Sequence, residues 1–140
     1  DLHDALRLHD VGGTLARGFN CAPDKADQIS IMNIHGREDD YVDVTGKEST
    51  DGYFYTAIKD VMALWASPSS QSCDKQVTPY PTIADGIRGM TCTQNANCAT
   101  GAEVVSCWWD AGHAWPGGVA PWGNDMIWDF FLKNPKNIQP

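Results

Sequence analysis

Two residues combine a reactive side chain with surroundings suited to proton transfer, Asp39 and His113. Asp39 lies in His35-Gly36-Arg37-Glu38-Asp39-Asp40-Tyr41-Val42, directly after a short β-branched run. A carboxylate at a strand end can be held by backbone N–H groups and can orient an imidazole. Consecutive acids are also common on solvated surfaces, so the stretch reads as an acidic surface loop as well. His113 lies in Asp110-Ala111-Gly112-His113-Ala114-Trp115-Pro116-Gly117-Gly118. Gly112 allows a sharp backbone turn, and Trp115 and Pro116 can wall the imidazole off from water. A general base needs a sheltered imidazole within hydrogen-bond reach of its partners. The other reading of His113 is an imidazole packed on Trp115 at a turn.

The remaining histidines carry less. His3 and His9 are too far apart to share one helical face. His35 and Asp39 form a conceivable metal pair, but no third ligand sits near them, and packing explains a His-Gly at a strand end better. Among the aromatics, Tyr41, Trp115 and Trp122 are our candidates for a substrate platform, and Trp108 and Trp109 suit a hairpin face. The five cysteines, Cys21, Cys73, Cys92, Cys98 and Cys107, contain no Cys-x-x-Cys and no zinc pattern. Their density in so short a chain favours an oxidising, extracellular compartment. We expect bridges Cys73–Cys107 and Cys92–Cys98, the second because its members flank a hairpin turn. Cys21 is then left over.

The elements that must position Asp39 and His113 follow from periodicity. Residues 5–11 suit a strand closed by Gly12-Gly13, and residues 18–27 a loop. Residues 29–34, Ile-Ser-Ile-Met-Asn-Ile, predict a strand ending at His35-Gly36, followed by a polar stretch over 37–51. A helix is expected over 53–66, where Phe54, Ala57, Ile58, Val61, Met62 and Trp65 recur on one face. Ser49, Thr50 and Asp51 offer its cap and Ser67-Pro68 its stop. After a Ser-rich loop over 68–76, extended segments at 87–93 and 102–109 should pair as an antiparallel hairpin across the turn-rich 94–101. A last helix is expected over 124–132, ended by Asn134-Pro135. Strands and helices in this order predict an α/β fold around one sheet, in which loops leaving the carboxyl ends of strands carry chemistry.

The chain has 140 residues and a formal net charge of −8, with no cluster of Lys and Arg. That balance disfavours nucleic acid and anionic membrane as partners. The longest apolar runs, such as 61–66, are too short to span a bilayer. The abrupt start at Asp1 leads us to expect a processed or truncated N-terminus.

Taken together, these motifs resemble the secreted α/β-hydrolase esterases of the poly(3-hydroxybutyrate) depolymerase and feruloyl esterase family. Its acid segment, a hydrophobic strand followed by His-Gly-x-x-Asp-x-x-Val, is matched by His35, Gly36, Asp39 and Val42. Its histidine segment, Gly-His-x-Trp-Pro-Gly, is matched by Gly112, His113, Trp115, Pro116 and Gly117, and its closing helix by Ile127, Trp128, Phe130 and Phe131. The likeness runs from about Gly12 to Leu132. It implies that residues 1–140 are the C-terminal portion of one α/β-hydrolase catalytic domain, with flanking helices and a hairpin near the end. It also implies that Asp39, rather than the adjacent Asp40, is the acid and His113 the base of a Ser-His-Asp triad, in the chain order of that fold. The substrate would be a carboxylic ester, of feruloyl or acetyl polysaccharide or of polyhydroxyalkanoate, and neither cofactor nor metal is needed.

The sequence departs from the family in one decisive respect. It contains no Gly-x-Ser-x-Gly elbow and no loop for the second oxyanion donor. The resemblance puts both upstream. We therefore expect missing N-terminal polypeptide, or a partner chain, to cover the sheet edge beside residues 5–11 and to supply the serine. The competing expectation is a non-catalytic secreted carbohydrate-binding module using exposed Trp and Tyr. Such a module has no reason to bring residues 39 and 113 into contact.

Overall fold

The computed structural model describes residues 9–11, 29–50, 52–117 and 121–135. Residues 5–8 of the first expected strand, the loop expected over 18–27 and Cys21 lie outside them. In chain order the elements are β1 (His9–Val11), β2 (Ile31–Gly36), α1 (Ile58–Ala66), β3 (Val77–Pro79), β4 (Thr91–Asn95), β5 (Val104–Trp109) and α2 (Trp122–Lys133). The strands form one mixed sheet in the order β1-β2-β5-β4-β3. β1, β2 and β5 run parallel, whereas β5, β4 and β3 form an antiparallel meander.

Every residue of β2 is buried, as a strand covered on both faces requires. Alternation along β2 and β5 divides the core in two. Met32, Ile34, Val105, Cys107 and Trp109 pack with Met126, Ile127 and Phe130 of α2. Ile31 and Val104 pack with Ile58, Met62 and Ala66 of α1. Successive strand residues point to opposite faces, so the two helices cover opposite sides of the sheet.

The strand expected over 29–34 is β2, and the expected antiparallel hairpin is β4 and β5. The helix expected over 53–66 begins only at Ile58. Ser49 explains the difference: instead of capping a helix, its backbone N–H donates to Tyr53 O (2.9 Å) and its hydroxyl accepts from Tyr53 N–H (3.2 Å). Glu48 and Phe54 form an antiparallel bridge beyond that turn, which leaves Phe54 exposed. α1 ends where expected, at Ser67, extended ahead of Pro68. The first part of the segment expected to extend over 87–93 curls into a 3-10 turn at Ile87–Gly89. The final helix is longer than expected by two residues at its start and one at its end.

The disulfides correct the expected pairing. They are Cys73–Cys98 and Cys92–Cys107. Cys92 stands directly opposite Cys107 in the antiparallel register, so these side chains are cross-strand neighbours. Cys98 is carried instead to the loop before β3, where Asp74 N–H donates to Ala96 O and Ala99 N–H to Ser72 O. Two bridges accord with an oxidising compartment. No helix among the described residues is long and apolar enough to cross a membrane.

Non-reducing peptide mapping should recover Cys73–Cys98 and Cys92–Cys107 peptides, and a Cys92–Cys98 peptide would contradict this register. The Cys92–Cys107 bridge spans a sequence separation of 15. Replacing both its cysteines by alanine should lower stability by about 2–4 kcal/mol in denaturant unfolding.

Candidate active site

The site grows from the pairing of β2 with β5. These neighbours are parallel, from Ile31↔Val104 to Gly36↔Trp109, so both chains leave the sheet at the same end. Their contact continues beyond the strands: Arg37 N–H donates to Trp109 O (2.9 Å) and Glu38 N–H to Ala111 O (3.0 Å). Gly36 makes this approach possible, because a Cβ there would collide with the carbonyl oxygens of Ala111 and Gly112. On its other side the His113 loop is braced by α2. A Cβ on Gly123 would strike Pro116 O, and Trp115 Nε1–H donates to Asn124 Oδ1 (3.0 Å). Arg37 adds a tie between the loops, donating to Asp110 Oδ1 (2.7 Å), Gly89 O (3.0 Å) and Thr91 Oγ1 (2.8 Å).

Asp39 is buried in this end of the sheet while its neighbour Asp40 is exposed. Its Oδ1 accepts the backbone N–H groups of Tyr41 (3.1 Å) and Val42 (2.9 Å), folding the chain around the carboxylate. Its Oδ2 lies 3.0 Å from Nδ1 of His113. A carboxylate only accepts, so Nδ1 carries the proton and donates. Nε2 of the neutral ring is then left with a lone pair. The two side chains differ sharply in exposure, 2% for Asp39 and 47% for His113. Such a pair can orient an imidazole, stabilise its protonated form and present a basic nitrogen toward solvent.

A second histidine reaches the same carboxylate. His35 is completely buried, with Nε2 3.0 Å from Val42 O and 3.4 Å from Asp39 Oδ2. The packing expected of His35 at the strand end is present, and the turn at 39–42 adds its nearness to Asp39. No group of three His, Cys, Asp or Glu among the described residues could hold a metal ion.

The candidate platform residues separate. Tyr41 is exposed and its ring stands 5.5 Å from that of His113. Trp115 is also exposed, two residues beyond His113. Trp122 is partly buried and packs edge-on against Trp109, centroids 5.6 Å apart, at the margin of the α2-side core. Its position at the start of α2 turns the indole toward the sheet. Trp109 is fully buried beneath it. No protein family, curated protein or solved structure matches this chain.

Gly36→Ala should force the loops apart. We expect a loss of roughly 1–3 kcal/mol of stability from overpacking. The Nδ1–H tautomer of His113, read from imidazole ¹⁵N shifts, should also become less populated. Unchanged stability and tautomer would show that the approach at Gly36 does not hold the pair.

Proposed function

We propose that this chain supplies the acid and base of a Ser-His-Asp triad in a secreted carboxylic ester hydrolase. The observation that carries the reading is the 3.0 Å contact between Asp39 and His113, residues 74 positions apart, at the common carboxyl end of two parallel strands. A carbohydrate-binding module would gain nothing from a buried carboxylate aimed at a half-exposed imidazole. Further support comes from the motifs His-Gly-x-x-Asp-x-x-Val and Gly-His-x-Trp-Pro-Gly, whose residues lie around this contact. The two disulfides favour secretion.

In this reading a serine attacks the ester carbonyl and Nε2 of His113 takes its proton. Asp39 holds Nδ1–H and stabilises the imidazolium, which then protonates the departing alkoxide. A water molecule, activated by the same nitrogen, releases the acid. The serine and its oxyanion donors come from polypeptide outside these 140 residues, because no Gly-x-Ser-x-Gly is present in them. β1 is the outermost described strand on the side of β2 away from β5. A strand leading into the nucleophile elbow would pair there, from the same polypeptide or from a partner chain. The ester would be of feruloyl or acetyl polysaccharide or polyhydroxyalkanoate type, with Tyr41 and Trp115 beside the acyl group.

The isolated chain should hydrolyse aryl esters no faster than background. A polypeptide extended upstream through a Gly-x-Ser-x-Gly segment should be active. In it, Asp39→Asn should lower kcat by about ten-thousandfold, since an amide favours the wrong tautomer of His113. Activity of the 140-residue chain that disappears in His113→Ala would place the nucleophile on a Ser or Thr within it. Full activity of Asp39→Asn in the longer polypeptide would refute the triad.

A further inference from the structure

We propose that His35 is a positioning residue for Asp39, a proposal that rests on the triad reading above. Its imidazole is completely buried at the end of β2, tilted against Trp108 with ring centroids 6.0 Å apart. Nε2 lies 3.0 Å from Val42 O. A carbonyl oxygen only accepts, so Nε2 carries a hydrogen. The same nitrogen lies 3.4 Å from Oδ2 of Asp39, beside its bond to Val42. One buried imidazole therefore binds the far end of the four-residue turn at Val42 and packs its Nε2 beside the acid at the near end.

The consequence for the carboxylate is specific. Oδ1 is held by the amides of Tyr41 and Val42, one of which belongs to the residue whose carbonyl His35 grips. Oδ2 then lies between two imidazoles, His113 toward solvent and His35 toward the core. Rotation about the Cβ–Cγ bond, which would carry Oδ2 away from His113, breaks contacts on both oxygens. His35 so fixes the acceptor that selects the Nδ1–H tautomer of His113 without touching the reacting atoms.

The geometry singles out two substitutions. Glutamine places an amide N–H where histidine places Nε2, and asparagine places one where histidine places Nδ1. Both keep a polar group in the cavity, but only His35→Gln retains the donor to Val42 O next to Oδ2. Imidazole ¹⁵N shifts of His113 should be recorded in this chain with the ring neutral. The wild type and His35→Gln should show mainly the Nδ1–H tautomer. His35→Asn should shift the population toward Nε2–H. In the nucleophile-bearing polypeptide, His35→Asn should lower kcat about tenfold with KM unchanged, the scale of one hydrogen bond, and His35→Gln should restore most of it. Equal tautomer populations in the two variants, whether retained or lost, would overturn the positioning role. A wild-type His113 found mainly as Nε2–H would instead overturn the Asp39–His113 pairing itself, so the two failures are distinguishable.

Discussion

Everything at this site depends on the parallel pairing of β2 with β5. Antiparallel neighbours would send their exits to opposite ends of the sheet. Parallel neighbours deliver both loops to one end, and here the backbone contact runs on past the strands through Arg37 and Glu38. The register decides which side chains meet. A slip of one residue would turn His35 to the opposite face and displace Asp39 from the His113 loop. Burial of β2 on both faces guards against that slip, because Ile31 serves the α1 side while Met32 and Ile34 serve the α2 side.

Burial of Asp39 sets the second constraint. A carboxylate removed from water is costly unless it is hydrogen-bonded. The turn at 39–42 meets this requirement locally: two amides cover Oδ1, and the imidazoles of His113 and His35 approach Oδ2. Asp43 then closes the chain just beyond. Its carboxyl accepts from the Thr45 hydroxyl and amide, and the Thr45 side-chain bond chiefly holds it below its usual titration range. A group depressed in this way favours the folded turn above the ordinary carboxylate range, and that contribution is lost as pH falls through the lowered value.

What could be read from the sequence was what local pattern controls. The run Ile29-Ser30-Ile31-Met32-Asn33-Ile34 announces a buried strand, and Ser67-Pro68 a helix stop. Asp39 and His113 stood out as candidates by their loop context, each with an ordinary surface or packing reading beside it, and the choice of Asp39 over Asp40 came from the family resemblance. The errors arose where a distant partner decides the outcome. Ser49 looks like a helix cap, but its bonds to Tyr53 close a turn and delay α1 to Ile58. Cys92 and Cys98 are close in sequence, yet the strand register gives Cys92 to Cys107. The contact of Trp122 with Trp109 likewise follows from the docking of α2, which no local pattern describes. The nearness of His35 to Asp39 needed the turn at 39–42, which no periodicity describes.

The sheet thus divides its tasks along β5. On one side, parallel pairing with β2 supplies the geometry of the Asp39–His113 contact. On the other, antiparallel pairing with β4 supplies the Cys92–Cys107 bridge, six residues before His113. A covalent tie in that half limits fraying of β5, and β5 carries its loop on to Gly36 and Gly123, where close backbone contact leaves little room for movement. The imidazole can then project half-exposed from a braced main chain. This arrangement suits a base that must meet an external group, because only the side chain needs freedom, and Asp39 constrains even that at Nδ1.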